Sequence, residues 1–204
     1  MRTFERTLLW MLVAGAAGAL WWLLQGPPLA IRPADGVLAP DQPVQRMLSN
    51  APPITYGDFQ LQPLASFQTR ARVLSTLRYQ LGTEAQISPI DFALGWGQMS
   101  DNRILDQLSL EQSSRYFTWR WPKSPPIPAD EITRSAANIH MIPASPVIER
   151  QLKRIASGSV VSIRGMLVEA TRADGWTWRS SLVRTDSGGG ACEVLWVEEI
   201  SVRN

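Results

Sequence analysis

One cysteine and one histidine occur in 204 residues, and this scarcity excludes several kinds of chemistry. A lone Cys192 rules out an internal disulfide framework, so the core has to hold without covalent staples. One His and one Cys cannot complete a zinc site without carboxylates, and no H-x-x-x-H pair is present. Neither a metal nor a cofactor is therefore expected. Excess charge is lacking too. Lys plus Arg number 20 and Asp plus Glu 18; leaving out Arg2, Arg6 and Glu5 makes that 18 against 17. A nucleic-acid partner needs a concentrated basic face, and none is expected here. Internal repeats are absent. The Gly-rich run Ser187 to Gly190 lies between two predicted strands and opens no helix, so it is no phosphate cradle.

What is present starts with an apolar run. Leu8 to Leu24 reads LLWMLVAGAAGALWWLL and carries no charge. As a helix, about 17 residues reach roughly 25 Å, enough for a thin bilayer core, and Gln25 extends it. Trp10 at one end and Trp21 and Trp22 at the other suit the headgroup level. A cleaved signal would need a small-residue site. The one at Ala17-Gly18-Ala19 lies inside the apolar run and is followed by Leu20-Trp21-Trp22, which favours an uncleaved signal anchor. Arg2 and Arg6 place the N-terminus in the cytoplasm and the rest outside. The expected organisation is a cytoplasmic tip (1–7), a transmembrane helix (8–25), a Pro-rich tether (26–53) and a soluble domain (54–204). The tether's frequent prolines leave no period of 2 or 3.6, so it reads as a semi-rigid spacer.

Within the domain, alternation over Ile54 to Tyr79 predicts strands, as does SRYFTWRW at Ser114 to Trp121. Ser100 or Asp101 can cap a short helix carrying Ile104, Leu105 and Leu108. A helix is predicted from Pro146 to Ser157, capped by Ser145 and ended at Gly158. Three strands follow, about Ser159 to Thr171, Trp176 to Arg184 and Ala191 to Val202, joined by turns at Asp174-Gly175 and Ser187 to Gly190. The fold class is α+β, with a C-terminal antiparallel meander forming a curved sheet or partial OB-like barrel and a few short helices.

Several residues are candidates for chemistry. His140 and Cys192 are a nucleophile-and-base combination, with Arg184 as a source of positive charge. Asp91, Asp101, Asp186 and Glu193 are the carboxylates that could pair for acid–base work. Trp96 between Gly95 and Gly97, and Trp176 with Trp178 two apart on a strand, are candidate binding aromatics that could stack on sugar rings. Against each stands a plainer role: a buried Cys in a sheet, a capping or turn Asp, a Trp-rich core.

The order His, Cys, Arg behind an anchor is similar to that of sortase-type transpeptidases. Cys192, however, opens a strand after a triple-Gly turn, where those enzymes place it at a strand's end. A wider resemblance rests on three runs: Asp91 to Asp101 (DFALGWGQMSD), Ser135 to Ala144 (SAANIHMIPA), and Ser180-Ser181-Leu182-x-Arg184-x-Asp186 followed by Gly190-Ala191-Cys192-Glu193. They resemble a group of uncharacterised bacterial membrane-anchored proteins of about this length. That resemblance implies a bacterial envelope origin and no particular activity. The reading that follows is a single-pass plasma-membrane protein whose periplasmic or extracellular domain binds an envelope protein or a cell-wall polymer. The alternative is an envelope enzyme, either Cys–His or carboxylate-based.

Overall fold

The computed structural model describes residues 6–8, 10–15, 26, 28–183 and 191–203. In chain order its first strands are β1 (Val44–Met47), β2 (Ile54–Tyr56), β3 (Phe59–Arg78), β4 (Ile90–Gly95), β5 (Ser109–Ser113) and β6 (Tyr116–Arg120). Then come β7 (Ala136–Pro143), β8 (Val160–Arg172), β9 (Thr177–Arg179) and β10 (Glu193–Arg203). Short helices interrupt them: α1 (Thr83–Ile87), α2 (Asn102–Leu105), α3 (Ala129–Arg134) and α4 (Pro146–Arg154), with a 3-10 turn at Gly97–Ser100. The fold is α+β, built on a large and mostly antiparallel sheet. Among the described residues no helix is long and apolar enough to cross a membrane. Residues 6–8 and 10–15 are helical, and most of the expected span 8–25 lies outside the described residues.

Five strands close a ring. β3 pairs with β4, β4 with β7, β7 with β10 in parallel, β10 with β8, and β8 again with β3. The ring interior holds Phe67, Val73, Phe92, Leu94, Trp96, Ile139, Met141, Ile163, Leu167, Leu195 and Val197, with Leu152 of α4 among them. Helix α4 begins as the sequence predicts, Ser145 Oγ accepting from the Ile148 amide at 3.3 Å, but it ends at Arg154. The meander is altered as well. β10 lies between β7 and β8 and not beside β9, and β9 pairs with β8 beyond the end of the β10 pairing, at Glu169 to Thr171. The free ends of β3 and β8, with Tyr56, Trp176 and Trp178, pack over Ile142, Val194 and Trp196 to make a second core.

β4 and β7 are buried along their whole length apart from half-buried Ala137. One face looks into the ring, and the other lies under the β5–β6 hairpin and the second core. Strands covered on both faces lose the alternation that marks a half-exposed strand.

Within the Pro-rich segment expected as a semi-rigid tether, several residues bind to the domain. Ile31 donates its amide to Ser157, Gly97 donates to the Ala39 carbonyl, and β1 pairs with β3 from Val44 to Met47. Asn102 Nδ2 holds the Pro33 carbonyl at 2.7 Å, while Ser100 Oγ accepts from the amides of Leu38 and Ala39 at 3.0 and 3.1 Å. Gly158 shows why a glycine is needed here. Its φ is +93°, and a Cβ on it would stand 1.9 Å from the Ile31 carbonyl oxygen. The strap lies where a side chain would have been.

Candidate functional site

Register places the polar residues of the ring's outer face side by side. Asp91 of β4 is opposite His140 of β7, and His140 is opposite Val194 of β10. Because side chains alternate, Asn138 and Cys192 share that face, whereas Glu193 points to the other. The tip of the β5–β6 hairpin comes down over this row. Its turn residues Ser114 and Arg115 have φ of +49° and +70°, values that a two-residue hairpin turn demands and that Asn or Gly normally supplies. Non-glycine residues held so are strained by roughly 1–3 kcal/mol each, and surrounding contacts must hold them there.

Arg115 makes those contacts. Its Nη1 donates to Asp91 Oδ1 at 2.7 Å and its Nη2 to the Ser88 carbonyl at 3.0 Å. The guanidinium carbon lies 3.8 Å from the centre of the Tyr79 ring and 5.4 Å from that of Trp178. Such stacking suits a planar cation removed from water. The Arg115 amide donates to the Tyr79 hydroxyl at 2.9 Å, and the Arg115 carbonyl accepts from Asn138 Nδ2 at 2.9 Å. Burial pushes the Tyr79 phenol above its usual range, and nearby Asp91 adds to that.

Asp91 has no exposed surface and serves two partners. While Oδ1 takes Arg115, Oδ2 lies 2.9 Å from His140 Nδ1 and 3.5 Å from Asn138 Nδ2. The His140 approach is close, but its direction falls off the ring N–H axis, so it is an electrostatic contact more than an aligned hydrogen bond. A carboxylate there favours the proton on Nδ1 and leaves the Nε2 lone pair as the reactive end. The ring is 3% exposed and stacks on Trp178 with centroids 4.6 Å apart. His140 belongs to the wall of a cavity of about 270 Å³, and its buried Nδ1 has no aligned hydrogen-bond partner. Cys192, Trp178 and Arg179 line the same cavity, with the Ser114–Tyr116 turn above and Glu84 at one side. The Cys192 thiol donates to the Arg115 carbonyl at 3.6 Å and lies 4.0 Å from Asn138 Nδ2.

The structure thus brings together His140, Cys192, Trp178 and Asp91 from the sequence candidates. Trp176 packs edge-on to Trp178 and Phe59, at 6.2 and 5.4 Å, in the second core. Trp96 is 1% exposed inside the ring, and Asp101 caps α2. Buried Glu193 pairs its backbone with Ile139 and does not line the cavity. Arg184 and Asp186 lie outside the described residues. Sequence reasoning missed Arg115, Asn138, Tyr79 and Ser88. Each of the three runs quoted above nevertheless contributes to this row: Asp91 from the first, Asn138 and His140 from the second, Cys192 from the third. No group of three or more His, Cys, Asp and Glu placed to hold a metal ion occurs among the described residues. No protein-family model, curated protein or solved structure matches the chain.

Proposed function

We propose that the chain is a membrane-anchored, extracytoplasmic domain of the bacterial cell envelope. It binds a hydroxyl-bearing ligand, such as a stretch of cell-wall polymer, in the cavity above His140. The observation that carries this reading is His140 itself, a buried imidazole backed by Asp91 and set in the wall of a cavity that it shares with Trp178 and Cys192. A buried titratable group converging with an aromatic wall on one cavity is a place for a ligand. With Asp91 and Arg115 cancelling in charge, Nε2 offers an acceptor to a hydroxyl, and the Trp178 indole offers an apolar wall to a sugar ring.

Position in the fold supports the same reading by analogy. The closed strand ring is read as an OB-like barrel, whose ligands lie on the second and third strands between two flanking connections. Here these are β4 and β7, the connection through α1 with Glu84 and Ser88, and the connection through β9 with Trp178. The uncharged span Leu8 to Leu24 supports the anchor. An envelope enzyme working through Cys192 and His140 is the second reading, favoured because both side chains open into one cavity.

The binding reading is tested by titrating the full-length chain, in detergent micelles, with an N-acetylglucosamine tetramer while following tryptophan fluorescence. Quenching is expected in the wild type, and its loss in Trp178→Ala. Heat flow and fluorescence both unchanged at millimolar tetramer would overturn the sugar reading.

A further inference from the structure

We propose that the cavity is also an acyl-transfer site, in which Cys192 takes an acyl group from an ester of the bound ligand. His140 is its general base. The inference rests on the cavity being a ligand site, and it adds the class of bond attacked: an O-acyl ester.

Three observations carry it. Cys192, immediately before β10, and His140 on the adjacent parallel β7 line one cavity, with the sulfur lying beside Asn138 and the imidazole two residues further along β7. Side chains so offset on one face have Cβ atoms roughly 8 Å apart, from a lateral spacing of about 4.8 Å and an advance of about 6.6 Å. A carbonyl carbon fits between them. Next, His140 is 3% exposed, lies in the wall of that cavity, and has Asp91 Oδ2 2.9 Å from its Nδ1, so Nε2 is the nitrogen that serves as the base. An imidazole with a carboxylate behind it is the arrangement that activates a weak nucleophile. Finally, the sulfur lies within reach of a donor. Asn138 Nδ2, 4.0 Å away, can stabilise negative charge on it, while the Arg115 carbonyl 3.6 Å away holds the resting S–H.

The thiol and the imidazole are not hydrogen-bonded at rest. Reaction requires Cys192 to turn about its Cα–Cβ bond, from the Arg115 carbonyl toward the cavity. The thiol proton then passes to His140 Nε2 as the sulfur–carbon bond forms. The ester C–O bond breaks, and the departing alkoxide takes that proton as an alcohol. Water next gives a proton to Nε2 and adds to the thioester. The carbon–sulfur bond breaks, and the proton on Nε2 returns to sulfur. Carboxylic acid and thiol are regenerated, with no oxidant or further reactant needed.

The test uses the full-length chain in detergent micelles with p-nitrophenyl acetate as the acyl donor. Expected are a nitrophenolate burst equal to the chain concentration and an acetyl group on the Cys192 peptide by mass spectrometry. Cys192→Ser abolishes both, and the wild-type chain's tetramer-induced quenching, followed separately, distinguishes failure of this step from failure of binding. His140→Gln slows the burst about a hundredfold. If that variant does not melt cooperatively, the wild-type chain decides, folded against unfolded in urea. Acetylation of the folded chain no faster than of the urea-unfolded chain overturns the proposal.

Discussion

Two arginines, buried Arg72 and half-buried Arg115, anchor the two polar clusters of this domain, and they are treated differently. Arg72, under the N-terminal strap, meets only neutral acceptors: the Ser100 carbonyl at 3.1 Å and Asn102 Oδ1 at 2.6 Å. Burial lowers its affinity for a proton, and Arg32 nearby adds to this. Around it Asn102, Ser100 and Asp101 turn their remaining groups onto Pro33, Asp35, Gly36, Leu38 and Ala39. The cluster is spent on joining distant pieces of chain. Arg115, under the hairpin tip, meets a full carboxylate and two aromatic faces, and its neighbour His140 lines a cavity. Similar ingredients make a structural joint in one place and a poised site in the other. What separates them is whether the cluster borders a cavity.

The largest effect should come from Asp91. Asp91→Ala leaves a half-buried guanidinium uncompensated and a buried imidazole without its carboxylate, at a cost of about 3 kcal/mol in urea unfolding. On the strap side, Asn102→Ala takes an acceptor from Arg72 and two anchors from the strap, for about 1–3 kcal/mol. Limited proteolysis of that variant should cut near residues 33–39. Equal costs for the two variants would break the distinction, because the charged joint would then be no more than another polar one. The smallest effect is one of pH. Arg103 side-chain hydrogen bonds hold the Asp101 carboxyl well below its ordinary value, with the Gly36 amide contributing. The unfolded chain therefore binds the proton first as pH falls. Asp101 adds stability above about pH 4, and that contribution drains away below it. Asp101→Asn should flatten the acid limb of a stability-against-pH curve; an unchanged limb would assign the acid sensitivity elsewhere.

Much of the frame was legible. Ser145-Pro146 announced α4, alternation announced much of β3, and Asp101 announced the cap of α2. The site was half legible. His140, Cys192 and Trp178 stood out by rarity or size, but nothing in the sequence placed them on neighbouring strands. β4 and β7 carry Asp91, Asn138 and His140, and being covered on both faces they show no period. Arg115 was hidden for another reason. A turn of Ser114-Arg115 lacks the Asn or Gly that marks a tight hairpin, so SRYFTWRW reads as one strand from its first residue. The docking of the strap was not legible, because prolines report the lack of regular structure and say nothing of whether an extended chain is bound.

Closure of the five-strand ring limits how another molecule can be met. Among the described residues the outermost strands of the large sheet are β1 with four residues and β2 and β9 with three each. A visiting strand needs a long row of unpaired amides and carbonyls to dock, and such short rims give it little to hold. Backbone-to-backbone zippering, whether with a partner or between copies in an aggregate, is thereby disfavoured. Recognition falls to side chains, and the side chains gathered for it are those beneath the hairpin tip.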